Sequence, residues 1–343
     1  MTDIPPASLP FDSSRLQDYL RRHLPSAGGD MHLGVVGGGQ SNPTYFVSFG
    51  GGGDYVLRKQ PPGELLPSAH AVDREYRVMT ALAGTAVPVP RTLLFCDDRA
   101  IVGTPFYVME RLYGRIFHQS AMPGVTAGER AALYQAMNET LVSLHGVDWQ
   151  AIGLADYGKP GNYFSRQVAR WARQYQSSKT RDIADIERLA AWLPANIPPG
   201  DETAIAHGDF RLGNLMFHPT EPKVIAVLDW ELSTLGHPLA DLGYNCMIWH
   251  LAPDHYGGIM GLGHRQLGIP SQEEYVQAYC RGAGRSDRLL PFHVAFSLFR
   301  FAVIIEGIAG RAQQGNAAAA NAEEVGALSV ALAAQAVAVA GLT

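Results

Sequence analysis

No stretch of this 343-residue chain is rich in lysine and arginine, and its net charge is −5. A protein that neutralises a nucleic-acid backbone needs a basic stripe, so nucleic acid is not an expected partner. Cysteine is scarce: Cys96, Cys246 and Cys280 are the only three. They lack metal-ligand spacing and sit in apolar segments, which reads as buried free thiols in a reducing compartment. Met1 to Pro10 carries an acid and several prolines but no basic-then-apolar signal pattern. The charge-free stretch Val325–Leu342 approaches membrane-spanning length, yet it is mostly alanine, interrupted by Gly326, Ser329 and Gln335. Val325, Leu328, Leu332 and Val339 fall at helical spacing, so a packed terminal helix is expected there, with no membrane partner. There is no internal repeat, and the expected compartment is the cytoplasm.

Hydrophobic residues make up 47% of the chain and charged residues 17%, an ordinary globular balance with enough length for two lobes and a substantial core. Asp12 or Ser13 can cap a first helix with Leu16, Tyr19, Leu20 and Leu24 on its apolar face, stopped by Pro25. A β-rich part follows. Val35-Val36 leads into the turn Gly37–Pro43, Thr44–Phe49 leads out, and Gly50–Gly53 turns the chain into Tyr55-Val56-Leu57-Arg58. Asp73 to Ala83 reads as a helix broken by Pro88-Val89-Pro90, and Phe106–Met109 as another strand. After Gly114 the pattern is helical: Glu129–His145, Tyr163–Gln176, Asp182–Leu193 ending before Pro194, and Pro291–Ile308.

One segment carries chemistry: His207-Gly208-Asp209-Phe210-Arg211-Leu212-Gly213-Asn214, followed by Asp229-Trp230-Glu231. An Asp with an Asn five residues on lets one loop face an acceptor proton with the first and hold a metal with the second. The apolar run Val224–Leu228 reads as a strand that delivers Asp229 to the same metal. Mg²⁺ prefers hard oxygen ligands, and Asn214 with Asp229 supplies two, leaving the other positions to phosphates and water.

With these motifs in this order, the chain resembles the aminoglycoside phosphotransferase and choline kinase-like superfamily, which shares the protein-kinase fold. The likeness is greatest to the kinase domain carried by some acyl-CoA dehydrogenase family proteins, and it runs from about Leu33 to about Arg311. The resemblance implies an α+β, bilobal fold, with a small β-rich lobe over residues 1–113 and a larger, mainly helical lobe over 114–343. It implies ATP and Mg²⁺ as cofactors and a small-molecule hydroxyl as phosphate acceptor.

Residue by residue, the resemblance implies Asp209 as the group that takes the acceptor proton and Arg211 as a cation on the transferring phosphoryl oxygens; a loop-stabilising ion pair is the other reading of Arg211. The glycine turn would lie over the phosphates through Gly38, Gly39, Ser41 and Asn42, although a plain hairpin uses the same residues. Arg58 would bridge the phosphates and pair with Glu75, with Lys59, on the opposite face of the strand, as the alternative anchor. Glu110 and Leu112 would meet the adenine edge, and Val56 and Met109 would sandwich the ring. His207 and Asp241 would brace the loop. Trp230 and Glu231 replace the Phe-Gly of protein kinases, which implies a metal loop without the glycine-enabled flip. Glu231 is a further metal-shell ligand or a surface carboxylate.

Arg300, Gly307 and Arg311 recur at helical spacing, and Arg166 shares a helix with Trp171. A cationic, partly apolar groove there would suit an anionic or acyl-chain acceptor; the plain alternative is surface or ion-pair arginines. Phe292, Phe296, Phe299 and Phe301 read as core. The leading expectation is a kinase acting on a hydroxyacyl-CoA or hydroxy acid, with an aminoglycoside or other amino-sugar as second acceptor class. A non-catalytic nucleotide-binding module is the alternative from another class, disfavoured because no catalytic Asp or metal ligand is missing. An acyl-CoA dehydrogenase is excluded, since the kinase motifs occupy the chain.

Overall fold

The computed structural model describes residues 9–37, 42–63, 70–286, 288–313 and 322–342; for 311–313 and 322–325 it describes the backbone alone. The first lobe follows the chain as helix α1 (Ser13–His23), strands β1 (Met31–Val35), β2 (Thr44–Phe49) and β3 (Asp54–Lys59), helix α2 (Val72–Leu82), strand β4 (Thr92–Cys96), a short helix α3 (Arg99–Val102) and strand β5 (Phe106–Glu110). The strands form one antiparallel sheet in the order β1-β2-β3-β5-β4.

Side chains alternate across this sheet because the strand period is two. Leu57 of β3 and Val108 of β5 face α1, where Leu16, Leu20, Val47 and Phe106 complete a small core. The other face takes α2 through Val78, Met79 and Leu82 around Tyr107. Asp12 caps α1 by accepting the Ser14 N–H, as the sequence suggested. Strand β4 was not foreseen; its run Thr92–Cys96 has no polar alternation, and four of its five residues are only half-buried at the sheet edge.

The second lobe contains α4 (Ala127–His145), α5 (Tyr163–Ser178), α6 (Ala184–Ala195), the short strands β6 (Ala204–Ala206), β7 (Leu215–Phe217), β8 (Val224–Val227) and β9 (Thr234–Gly236), then α7 (Pro238–Asn245), α8 (Gln272–Gly282), α9 (Pro291–Gln313) and α10 (Ala322–Ala340). Strand β6 pairs with β9, and β7 with β8. Pro194 does not stop α6, which runs through it to Ala195. A proline in the last turn forfeits a single backbone bond and has little helix left to disrupt.

Helix α9 is long and apolar enough to cross a membrane by composition, but 89% of its apolar window is buried inside the lobe. Phe292, Phe296, Phe299 and Phe301 lie in that core, as their spacing implied. Gly243 lets α7 approach α9 closely, since a Cβ there would stand 2.7 Å from the His293 carbonyl oxygen. Helix α10 packs along α9 with Leu332, Ala333 and Ala336 fully buried.

One carboxylate ties these helices together. Glu306, 0% exposed on α9, accepts hydrogen bonds from the Thr180 N–H at 3.1 Å, the Thr180 hydroxyl at 2.6 Å and the Ser329 hydroxyl of α10 at 2.8 Å. Arg181 stands 3.5 Å away and also donates to the Gly326 carbonyl. Replacing Glu306 by Leu leaves these donors without an acceptor and is expected to cost about 3 kcal/mol of stability. Ser329→Ala is expected to cost about 1 kcal/mol. Urea unfolding of the two single variants and the double variant checks both values, and a double-variant loss smaller than the sum reports the shared network.

Candidate functional site

Asp209 sits in a loop whose backbone is captured by a buried acid. Asp241, on α7 and 2% exposed, accepts the His207 N–H at 2.6 Å through Oδ2 and the Gly208 N–H at 2.8 Å through Oδ1. His145 Nε2 lies 3.4 Å from the same carboxylate. Burial works against the charge of Asp241, but the His145 contact and the two N–H donors outweigh it and hold its pKa below the ordinary value. Gly208 has φ +83°, and a Cβ there would stand 2.7 Å from the Leu232 carbonyl oxygen, so the loop requires glycine at this point.

His207 is fully buried. Its Nδ1 accepts the Asp209 N–H at 3.2 Å and its Nε2 donates to the Leu228 carbonyl at 2.9 Å, which assigns the proton to Nε2. The ring packs against Trp230 at 4.7 Å, and Trp230 donates to the Val227 carbonyl. His207 and Asp241 therefore position the loop and do not face the site.

The Asp209 carboxylate has three partners. Tyr244 donates its hydroxyl to Oδ1, Asn214 donates its amide to Oδ2 at 2.7 Å, and Arg211 Nε lies 3.3 Å from Oδ1. Asn214 also donates to the Asp209 carbonyl at 2.9 Å. With Nδ2 doubly committed, the Asn214 amide is oriented so that its oxygen is the atom left for a cation. Burial opposes the Arg211 charge, but Asp209 overcomes it and the arginine keeps its proton more firmly than usual. Burial, reinforced by the Asp209 charge, raises the Tyr244 pKa well above the ordinary phenol value, so the hydroxyl stays a donor.

Asp229, two residues past β8, has a left-handed conformation, φ 63° and ψ 68°, which for a non-glycine residue stores about 1–3 kcal/mol of strain. That geometry turns its carboxylate back toward β3. Arg58 Nη2 donates to Asp229 Oδ1 at 2.7 Å, Nε lies 3.0 Å from Glu75 Oε2, and Glu231 Oε2 is 3.7 Å from Nη2. The Nε contact with Glu75 is an ion pair off the line of a hydrogen bond. Burial works against the Arg58 charge, and the acids around it, Glu75 first, more than restore it. Glu75, 1% exposed, is pushed up by burial against the pull of Arg58.

Arg58, not Lys59, therefore reaches the acids. Lys59 is 2% exposed on the opposite face, with Nζ 5.5 Å from the Phe11 ring centroid. Glu231 lies beside Arg58 as part of this cluster rather than standing alone at the surface.

Asn42 is a correction. Its amide was expected to face phosphates, but Nδ2 donates to Glu75 Oε1 at 2.6 Å and Oδ1 meets His70 Nδ1 at 3.0 Å. A buried carboxylate draws in the nearest donor, and Asn42 is that donor. Gly38, Gly39 and Ser41 lie outside the described residues. At the expected adenine edge, the Glu110 N–H is already given to the Arg91 carbonyl at 2.9 Å, so that N–H is not available to a base. No hydrogen bond of the Leu112 backbone is seen among the described residues. Val56 is buried and Met109 half-buried on facing positions of β3 and β5.

Tyr244 was missed by sequence reasoning. It lies three residues after Asp241 on α7, one turn along the same helix face, and that spacing was the available signal. Asn245, its neighbour, donates to the Phe210 carbonyl at 3.1 Å. Beside the loop opens a cavity of about 270 Å³ lined by His118, Arg211, Tyr244, Met247, Leu251 and Tyr256. A larger groove of about 840 Å³ between α4 and α8 touches none of the acids described above.

The family model described as "Phosphotransferase enzyme family" matches residues 32–292. Acyl-CoA dehydrogenase family member 10 of Mus musculus is 44% identical over 336 residues, covering 95% of this chain and 31% of that protein. Acyl-CoA dehydrogenase family member 11 of Rattus norvegicus is 46% identical over 317 residues, covering 89% of this chain and 40% of that protein. The chain thus spans about a third to two fifths of the length of these curated relatives. Among solved structures, one from Ralstonia eutropha, provisionally described as an aminoglycoside phosphotransferase, superposes with a TM-score of 0.87 at 45% identity, covering 97% of this chain and 99% of that one.

The bracing role of Asp241 has a pH signature. Its lowered pKa adds stability that is complete above the ordinary carboxylate value of about 3.9 and is lost as pH falls from there through the depressed folded value. Asp241→Asn is expected to be less stable at neutral pH and to lose less on acidification than the parent. Denaturant midpoints between neutral pH and about pH 3 provide the check.

Proposed function

The chain belongs to the phosphotransferase enzyme family, and from that premise we propose that it is an ATP- and Mg²⁺-dependent small-molecule kinase that transfers the γ-phosphate to a substrate hydroxyl. The observation that carries this reading is the shared anchoring of Asp209 and Asn214 in one loop, opposite an Asp229 that Arg58 holds in place.

The residues fit the implied cofactor. The amide oxygen of Asn214 and the carboxylate of Asp229 are hard donors suited to Mg²⁺, and Arg58 is a guanidinium suited to phosphate. Bound Mg·ATP would supply the phosphoryl group and neutralise the charge that develops during transfer. Asp209, fixed by Tyr244 and Asn214, is placed to accept the proton that the acceptor hydroxyl loses as its oxygen bonds to phosphorus. Arg211 keeps positive charge beside that proton acceptor. Glu75, itself held by Asn42, pairs with Arg58 and would orient its guanidinium for the phosphates of a bound nucleotide.

For the acceptor, a hydroxyacyl-CoA or hydroxy acid is favoured over an aminoglycoside or other amino-sugar. The cavity beside Asp209 is walled by Arg211, His118, three tyrosines and apolar side chains, with no acidic residue among its lining. A polycationic sugar would find no counter-charge there beyond Asp209 itself.

Asp209→Asn is expected to lower kcat about a thousandfold while nucleotide binding persists. Tyr244→Phe, which removes one hydrogen bond to the same carboxylate, is expected to lower kcat about tenfold with a small change in KM for ATP. Both are read with Mg·ATP and a metabolite extract by following phosphorylated products in mass spectrometry. Undiminished turnover in Asp209→Asn would sink the assignment.

A further inference from the structure

The cavity beside Asp209 is lined by an acceptor residue whose oxygen the fold does not use. Among the described residues, six buried side-chain polar atoms lack a hydrogen-bond partner. Four are arginine nitrogens and one is the Tyr275 hydroxyl, all on residues away from this cavity. The sixth is Oδ1 of Asn245, which does line it. An amide oxygen can only accept, so what it lacks is a donor.

Asn245 is the last residue of α7 and is 3% exposed. Its Nδ2 donates to the Phe210 carbonyl at 3.1 Å and lies 3.6 Å from Met137 Sδ. These contacts fix which end of the amide is nitrogen and leave Oδ1 as the end without a partner. Holding the Phe210 carbonyl requires a donor and nothing more, which a hydroxyl would supply. An amide at this position also buries a carbonyl oxygen, and that oxygen costs stability until a donor meets it.

The walls of the cavity say what kind of donor fits. Arg211 and Tyr244 both line it and both contact the Asp209 carboxylate, so the space that Asn245 lines adjoins the proton acceptor. The hydroxyl of Tyr244 is given to Asp209 and that of Tyr134 to the Ser120 carbonyl, so neither serves Oδ1. No carboxylate lines the space and Arg211 brings positive charge to it, which disfavours an ammonium group. A volume of about 270 Å³ admits a small head group. We propose that Asn245 is a specificity-determining residue whose Oδ1 accepts a hydrogen bond from a neutral donor of the acceptor molecule, an amide N–H or a second hydroxyl near the one that is phosphorylated. This rests on the kinase reading above and adds a requirement to it: a compound with one hydroxyl and no other donor binds poorly, whatever its charge.

The test uses the whole chain and two matched probe series, each with three to six carbons between or beside its polar ends. The first compares N-methyl ω-hydroxyamides with the methyl ω-hydroxyesters, a swap that removes the N–H and adds no bulk. The second compares α,ω-diols with the ω-fluoroalcohols, in which fluorine replaces one O–H. Affinities are taken from thermal unfolding of the parent, Asn245→Leu and Asn245→Asp. In at least one series the parent should bind the donor-bearing member about tenfold more tightly than its partner, and the responding series identifies the donor. Asn245→Leu should bring that ratio close to one, whereas Asn245→Asp, which keeps an oxygen in place, should retain it. The ratio is the informative readout, because a merely structural Asn245 would weaken both members of a pair alike.

A parent ratio of one in both series overturns the proposal, as does a ratio in Asn245→Leu equal to that of the parent or no response of the parent to any probe. If Asn245→Leu fails to fold, Asn245→Thr takes its place, since a threonine hydroxyl can still donate to the Phe210 carbonyl without restoring the amide oxygen. Failure of both to fold assigns Asn245 to the structure alone and overturns the proposal. Mg·ATP binding by the parent, measured in the same titrations, separates the two readings. Its absence sinks the kinase assignment, whereas a ratio that ignores Asn245 sinks only this one.

Discussion

The arrangement depends on a guanidinium that burial would otherwise forbid. Arg58 projects from the middle of the β-lobe into a half-enclosed space, and its charge survives there because acids from separate segments converge on it. Glu75 comes from α2, while Asp229 and Glu231 come from the turn beyond β8, in the helical lobe. One side chain thus joins the two halves of the cleft electrostatically. The second link runs alongside: Arg74, next to Glu75, donates to the Tyr157 carbonyl at 2.7 Å and covers the Tyr157 ring. The helix that supplies the carboxylate is therefore itself docked on the helical lobe. Separating the halves would strand a buried cation and a buried acid together, a larger penalty than loss of either contact suggests.

The loop on the other side of the cleft follows a different logic. Its shape is fixed through backbone groups captured by Asp241 and through His207, whose two ring nitrogens bind successive parts of the chain. The side chains that face the cleft, Asp209, Asn214 and Arg211, then hold one another. Support and chemistry are separated, so the exposed groups can exchange partners without the loop losing its form. A left-handed Asp229 and a buried Trp230 complete the frame; the strained backbone of Asp229 is a cost, and the packing of Trp230 helps to hold it.

Much of this was legible in the sequence because it rests on local rules. The period of two on β3 separates Arg58 from Lys59, and the Asp-to-Asn spacing of the loop places both on one turn. The first helix announces itself through Asp12 and its leucines. What could not be read depends on contacts between distant segments. Asn42 sits in a polar turn and looks like a phosphate ligand until Glu75, thirty-three positions later, claims its amide. Tyr244 looks like core until the approach of α7 sets its hydroxyl on Asp209. Strand β4 carries no periodicity of its own, since its pairing with β5 is what makes it a strand.

Glu306 sets an order on assembly. Its partners are Thr180 and Arg181, made early, and Ser329, made almost last. During synthesis the helical lobe must wait, its central acid only partly matched, until α10 has left the ribosome and supplied the final hydroxyl. A chain cut short before that helix would keep the entire phosphoryl-transfer loop and still carry an exposed, poorly matched seam along α9, the kind of surface that quality-control chaperones and proteases read as unfinished.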